Sequence, residues 1–286
     1  MDLYLYDEDI RRWLREDLPY GDVSSDSLFP EGRTARAEIR AKDDGIVAGL
    51  PLAGRVFEVV SPQTAVRQKL TDGDRVQSGD LLMVVEGEVS ALLKAERLAL
   101  NLLGRLSGIA TLTARFVKEA GRQSVRITDT RKTTPGLRSL EKYAVRMGGG
   151  INHRFDLSGA VMLKDNHIQA AGGILEAVHT VRRAVSHTMR IEVEVETLEQ
   201  YREALQAGPD IVMLDNMSLE DMARAVREKP SGVLLEASGN VTLETVAEIA
   251  ATGVDVISAG ALTHSVPVFD VSMKLTGTPD REFKSS

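Results

Sequence analysis

The sequence predicts an α/β protein: an incomplete parallel barrel, open or seven-stranded, behind an N-terminal α+β region. Two observations predict it. Beyond Ala120, short apolar or β-branched runs ending in polar residues alternate with helical stretches, the pattern of a parallel sheet joined by crossover helices. The last strand-to-strand intervals are each roughly twenty residues, close to the minimum for a βα unit. The runs SVRITDT, AVMLK, RIEVEVE, DIVMLDN, GVLLEASG and VDVISAG give six clear strands. A closed barrel has about eight, so the seventh strand of an incomplete one is expected to be hidden.

Taken in order, the chain opens with MDLYLYDEDIRRWLRED, which is acidic and amphipathic and predicts a helix around Ile10 to Arg15. Short strands follow at Thr34 to Ala41 and Gly45 to Ala48. In AVRQKLTDGDRVQSGDLLMVVEG, Asp72-Gly73 and Ser78-Gly79 punctuate alternating apolar residues as hairpin turns do. That stretch resembles the turn of a biotinyl or lipoyl carrier. No lysine flanked by methionine follows it, and a carrier cannot work without its attachment amine. Ser90 to Leu106 reads as a helix, with Leu92, Ala95, Ala99 and Leu103 on one face, until Gly104 and Gly108 loosen it. A second helix runs to Ala120. Between the later strands, helices are expected at Leu137 to Met147, Ile174 to Val185, Leu198 to Ala207 and Val241 to Ala251. The tail from Thr276 is expected to fray.

At 286 residues, 43% hydrophobic and 27% charged, the chain can bury a sizeable core. The absence of cysteine removes disulfides, thiolate metal sites and cysteine nucleophiles together. No apolar run reaches the roughly eighteen residues of a membrane span, and the opening is no signal peptide, so a cytoplasmic protein without a membrane partner is expected. A net charge of −7 argues against a nucleic-acid partner. Yet from Arg131 to Lys164 the chain carries Arg131, Lys132, Arg138, Lys142, Arg146, Arg154 and Lys164, with His153, against only Glu141 and Asp156. An acidic protein that gathers its cations in one segment suggests a pocket for a small polyanion.

Parallel α/β folds place their chemistry at the carboxyl ends of the strands. Those ends carry Thr130-Arg131-Lys132, Lys164, Glu194, Asp215, Ser238-Gly239-Asn240 and Ala259-Gly260-Ala261. Arg131 and Lys132 precede a Pro-Gly turn and can project into a pocket or into solvent. Arg138, Lys142 and Arg146 recur at helical spacing opposite Leu137, Leu140, Ala144 and Met147, which favours a solvated face. Lys164 closes an apolar run and needs an anionic partner or water. His153-Arg154 follows three glycines that permit close backbone approach or simply a flexible turn. Glu192, Glu194 and Glu196 share one face of a strand; a polar edge strand explains them slightly better than a barrel interior. Asp215 ends an apolar run, and with Glu194 it can hold a divalent cation or ribose hydroxyls. Hard oxygen donors suit magnesium. The two late turns place backbone N–H groups at expected helix starts, where phosphate binds. His264 stands near the second turn, while His179 and His187 read as helix-surface residues.

TRKTTPGLRSLEKYAVRMGGGINHRFDLSGAVMLKDNHI, with RLSGIATLT, IEVEVETLEQ, DIVMLDNMS, LLEASGNVTLETV and ISAGALTHSVPVFDVS, closely resembles the quinolinate phosphoribosyltransferase family. The resemblance implies an N-terminal open sandwich over 1–107, completed by 268–286, and a seven-stranded α/β barrel over 108–267. It also implies a homodimer with shared active sites. The implied reaction takes quinolinate and phosphoribosyl pyrophosphate to nicotinate mononucleotide, pyrophosphate and carbon dioxide, with magnesium. By resemblance, Arg131, Arg154, Lys164 and His153 meet the quinolinate carboxylates, with Arg97 supplied by the neighbouring subunit. Lys132, Glu194 and Asp215 serve ribose, pyrophosphate and metal, and the two late turns take the phosphate. Two rivals share this chemistry or fold: the molybdate-transport-associated paralogue, which departs within the cationic motif, and nicotinate phosphoribosyltransferase, whose substrate has one carboxylate. A non-catalytic carrier or binding module is the rival from another class.

Overall fold

The computed structural model describes residues 2–29, 32–121 and 125–277. They divide between two compact units, one drawn from Met1–Thr111 with Pro267–Ser286 and the other from Leu112–Val266. In chain order, a 3-10 turn at Leu3–Tyr6 precedes α1 (Asp7–Asp17), α2 (Val23–Leu28), β1 (Thr34–Ala41), β2 (Gly45–Ile46), α3 (Leu50–Val60), β3 (Ala65–Gln68), β4 (Arg75–Val76), β5 (Leu81–Glu88) and α4 (Val89–Ala120). Then come β6 (Arg126–Thr128), α5 (Arg138–Met147), β7 (Val161–Leu163), α6 (Asp165–Ala171), α7 (Ile174–Ala184), β8 (Ile191–Val195), α8 (Leu198–Ala207) and β9 (Ile211–Asp215). The chain closes with α9 (Leu219–Glu228), β10 (Leu234–Ser238), α10 (Val246–Ala251), β11 (Val256–Ser258), α11 (Ala261–His264) and β12 (Val271–Gly277).

In the first unit, β12, β1, β5 and β3 form an antiparallel sheet in that order. Alternation along β1 buries Ala35, Ala37, Ile39 and Ala41 on one face, and α3 packs on β3 and β5 with Leu52, Ala53, Val56 and Phe57 inside. The turns read at Asp72-Gly73 and Ser78-Gly79 are present, with both glycines left-handed at φ 97 and 98°. The flanking strands do not form the expected hairpins: β4 pairs with β2, and β3 with β5. The expected break near Gly104 is also absent, because α4 is one helix of 32 residues. Gly104 is a contact point instead: a Cβ there would stand 2.8 Å from the carbonyl oxygen of Phe269. The fray expected from Thr276 does not begin there, since β12 runs through Gly277; residues 278–286 lie outside the described residues. No helix among the described residues is long and apolar enough to cross a membrane.

In the second unit, six parallel strands follow the order β6, β11, β10, β9, β8, β7, so the first strand in sequence pairs with the last. On the other flank of β6, Thr128 makes one parallel bridge to Ile151. That bridge is the seventh position, a strand reduced to a single pair and entered through Gly150, where a Cβ would stand 2.8 Å from Val145. Among the described residues no strand pairing joins Ile151 to β7; the Arg154 guanidinium spans that gap, donating to the Ala160 carbonyl at 2.9 Å. The barrel is therefore incomplete at one seam. β8 lies between β7 and β9, which overturns the polar-edge reading: Ile191, Val193 and Val195 pack outward under α7 and α8, and Glu192 and Glu194 face the interior. Glu196 lies past the strand and is exposed. α10 begins at Val246 rather than Val241, since Thr242 donates its N–H to Thr245 and the chain turns once before the helix.

Candidate active site

The carboxyl ends of the barrel strands open into a cleft of about 770 Å³, wholly within the second unit. Each wall follows from a strand's parity. Residues two apart share a face, so Met213 and Asp215 on β9, and Glu236 and Ser238 on β10, look inward in neighbouring rows.

One wall is cationic. Thr130, Arg131 and Lys132 follow β6, His153 and Arg154 follow Ile151, and Lys164 follows β7 as the N-cap of α6; all line the cleft. The Lys132 N–H is held by Thr130 Oγ1 at 3.0 Å, and the Lys132 carbonyl accepts from Thr263 Oγ1 at 2.8 Å. Burial and the neighbouring Arg131 lower the Arg154 pKa, and Arg154 Nε has no partner among the described residues. Lys164 Nζ donates to Glu194 Oε2 at 2.6 Å, which supplies the anionic partner its position demands.

The adjoining wall carries Glu194 and Asp215, with Asn216 Nδ2 donating to Asp215 at 3.0 Å. Asn216 and Asn240 both adopt left-handed backbone, at φ 54 and 48°, and join through Asn240 Nδ2 to Asn216 Oδ1 at 3.0 Å. Non-glycine residues rarely hold that conformation, and such strain collects at functional rims. Between them Gly239, at φ 92°, lies against Asn216 so closely that a Cβ would stand 2.2 Å from Oδ1. Ser238-Gly239-Asn240 is separated from α10 by a turn, so its anion-binding capacity comes from loop amides rather than a helix end. Ala259-Gly260-Ala261 leads directly into α11, where a Cβ on Gly260 would meet both His264 and Lys132 at 3.0 to 3.1 Å. His264 lines the cleft and shares a 2.6 Å bond with Ser265 Oγ.

The solvated face read for α5 is half wrong. Arg146 is exposed, but Lys142 is fully buried and paired with Asp129, which is also fully buried. Lys142 Nζ further donates to the His153 carbonyl at 3.0 Å, and Asp129 accepts from Asn152 Nδ2 at 2.6 Å and the His153 N–H at 3.0 Å. Burial pushes Asp129 up and Lys142 down, each opposed by the other. The pair anchors the segment that carries His153 and Arg154. Arg138, half-buried, ties the same region by donating to Thr133 and to the Phe155 carbonyl.

Beneath the cations lies a floor that the sequence did not disclose. His153 Nε2 stands 3.1 Å from Glu192 Oε2 and 3.6 Å from Glu236 Oε1, while its Nδ1 accepts the Arg154 N–H at 2.9 Å. Both ring nitrogens are thus engaged by the protein. Glu192 and Glu236 are 2% and 3% exposed. Glu236 was missed although a signal existed: a lone acid inside an apolar strand, at the parity of the inward face. His179 and His187 are exposed and line no part of the cleft; His179 is on the surface of α7 as expected, whereas His187 lies in a turn beyond that helix. Arg97 is exposed on α4, in the other unit, and is not among the cleft's lining residues.

A family model described as the quinolinate phosphoribosyl transferase C-terminal domain matches residues 109–274, and one for the N-terminal domain matches 22–107. A Bacillus subtilis protein named probable nicotinate-nucleotide pyrophosphorylase (carboxylating) is 45% identical over 93% of this chain and 92% of its own. The Mycobacterium leprae nicotinate-nucleotide pyrophosphorylase (carboxylating) is 41% identical over 93% and 95%. Among solved structures, NadC from Streptococcus pyogenes superposes with a TM-score of 0.94 at 42% identity, covering 98% of this chain and 99% of its own. The nicotinate-nucleotide pyrophosphorylase from Francisella tularensis gives 0.92 at 36%, over 96% and 98%.

Proposed function

The chain belongs to the quinolinate phosphoribosyltransferase family, and from that premise we propose how its cleft performs the transfer. The enzyme moves the phosphoribosyl group of phosphoribosyl pyrophosphate onto the ring nitrogen of quinolinate and releases pyrophosphate and carbon dioxide, giving nicotinate mononucleotide for NAD synthesis. One observation carries the reading of the site: a single cleft sets Arg131, Arg154 and Lys164 on one wall and Glu194 and Asp215 on another, with two glycine turns at its rim.

Quinolinate brings two adjacent carboxylates, and two guanidiniums and an ammonium supply matching charge and bidentate grips. His153 supports that wall from behind, since its ring nitrogens are occupied by Glu192 and the Arg154 amide. The turns at Gly239 and Gly260 accept the 5′-phosphate, because only residues without side chains let backbone amides approach it there. Lys132, beside Gly260, faces the leaving pyrophosphate and assists its departure. As the anomeric C–O bond breaks, positive charge grows on the sugar, and Glu194 and Asp215 stabilise it by their preorganised charge. After ribosylation the pyridinium draws electrons from the neighbouring carboxylate carbon, so that carboxylate leaves as carbon dioxide while Arg131, Arg154 and Lys164 hold the other.

Glu194 and Asp215 present hard oxygens from inward positions on neighbouring strands, a donor set suited to magnesium bound mainly through substrate phosphates and water. Magnesium would supply charge neutralisation to the pyrophosphate. We further assign the chain to a cytoplasmic homodimer that shares its sites through Arg97. The first unit leaves Tyr4, Leu5, Tyr20, Val23 and Leu28 exposed, which an interface would cover. Mixing the inactive variants Arg97→Ala and Lys164→Ala tests this: regained activity supports shared sites, and none regained after subunit exchange rejects them. The reaction itself is tested with purified protein, quinolinate, phosphoribosyl pyrophosphate and magnesium. Mononucleotide and carbon dioxide must form in equal amounts; product without carbon dioxide rejects the assignment.

A further inference from the structure

The decarboxylation leaves an electron pair on a ring carbon, and something must protonate it. Glu236 lines the cleft, is almost wholly buried, and its Oε1 has no hydrogen-bond partner among the described residues. The charged or polar groups that act on it are Glu192 of β8, His153 of the seventh-strand segment, Ser258 of β11 and Arg126 of β6. Nδ1 of His153 accepts a backbone N–H, so the ring as it stands is neutral, with its proton on Nε2 toward the two carboxylates.

Two ionised carboxylates around a neutral imidazole in a water-poor floor are costly, and one more proton relieves them. That proton has three seats, because Glu192 Oε1 is also buried and without a hydrogen-bond partner among the described residues; of the two carboxylates, Glu236 lines the cleft and Glu192 does not. The carboxylates favour it on the imidazole, raising His153 despite burial, but on Nδ1 it would displace the Arg154 N–H. On Glu236 Oε1 it displaces nothing, since that atom has no hydrogen-bond partner among the described residues. Burial first, and then the charge of Glu192, push Glu236 up to about 7, against the pull of His153.

Resting on the reaction above, we propose that Glu236 is the acid that protonates the pyridine ring after carbon dioxide leaves. The carbon–carbon bond to the carboxylate breaks and its electron pair stays on the ring carbon. The Glu236 O–H proton then forms the new C–H bond, its O–H pair remains on the carboxylate, and solvent restores the proton before the next turnover. The placement suits the task, because the cations that take the dicarboxylate share a wall with His153, whose ring abuts Glu236.

Glu236→Gln tests the proposal cleanly, since glutamine mimics the protonated acid in shape and charge but gives up no proton. With quinolinate, phosphoribosyl pyrophosphate and magnesium, pyrophosphate release in the first turnover is expected to stay within about threefold of the wild type. Nicotinate mononucleotide formation should fall about 100-fold or more. Unprotonated carbanion recaptures carbon dioxide, so quinolinate mononucleotide, heavier by one carbon dioxide, should accumulate and be seen by mass spectrometry. Product formation within threefold of the wild type overturns the proposal. So does a parallel fall of pyrophosphate release and product, which would place Glu236 in transfer or folding; thermal melting tells those apart. His153, Glu192 and Glu236 offer atoms within 4.8 Å of one another, close enough for a cation. Manganese bound stoichiometrically by the wild type and lost in Glu236→Gln would also overturn it. A wild type that makes no mononucleotide defeats the parent reading instead, so the two failures are separable.

Discussion

Replacing Glu236 with glutamine should stabilise the protein at alkaline pH and leave it unchanged in acid. Burial and the charge of Glu192 raise its pKa from the ordinary 4.5 to about 7. The carboxyl is therefore protonated in the folded state over a range where it is ionised in the unfolded chain. Its contribution is fully present below 4.5 and is lost as the pH rises through 7, because unfolding then releases a proton that folding must recapture. At about 1.4 kcal/mol per unit, the shift corresponds to roughly 3 kcal/mol. Glutamine cannot ionise, so its variant escapes this loss. Urea unfolding of both proteins at pH 4.5 and pH 8.5 measures the difference, in which titrating groups remote from Glu236 cancel to first order, while His153 and Glu192, which feel its charge, titrate together with it. The variant's advantage should grow by roughly 3 kcal/mol across that interval. An advantage that stays constant with pH would refute the claim that a dry, charge-crowded carboxyl occupies the floor.

Lys142→Met should cost about 3–5 kcal/mol in the same urea assay, because it leaves the buried Asp129 carboxylate uncompensated. The surviving fold should bind quinolinate more weakly, since the His153-Arg154 segment loses an anchor. Gly239→Ala, forced against Asn216, should raise the KM for phosphoribosyl pyrophosphate about tenfold or more while leaving that for quinolinate within about threefold. Chelation with EDTA should abolish turnover, and added magnesium should restore it; undiminished activity in EDTA would remove the metal from the proposal.

The sequence disclosed most where a residue's burial follows from its neighbours in the chain. All six strands were legible because each apolar run stops at polar residues, and the cleft residues at their ends were legible because parallel barrels expose those ends. The seventh position was not, since one residue pair at Ile151 has no periodicity to read. Lys142 was misplaced for a different reason. Helical spacing put it on a cationic face, whereas its burial depends on Asp129, a partner 13 residues away just past the end of β6. Glu192 and Glu194 alternated correctly, but alternation alone cannot say whether the polar face looks outward or into a barrel. Gly104 carried the signature of a helix break and serves as a point of backbone contact. In each case a distant partner overrode a correct local pattern.

The same dependence on partners sets a constraint between the two substrates. Lys164 and Glu194 bond to each other at 2.6 Å, yet the proposed roles send Lys164 to a quinolinate carboxylate and Glu194 to the ribose or metal. Whichever ligand binds first must break that pair, and the second then finds its partner already released. Binding should therefore be mutually favourable, and by linkage the factor is the same in both directions. Lys164 is 46% exposed, so the pair is worth at most about 1 kcal/mol and the coupling should be no more than roughly fivefold. Benzene-1,2-dicarboxylate, which has no ring nitrogen to react, allows the measurement by calorimetry with and without phosphoribosyl pyrophosphate and magnesium. Lys164→Met should abolish the coupling as well as weaken the dicarboxylate. If the two ligands compete, or if the coupling survives in Lys164→Met, the ion pair is not the link between the two walls.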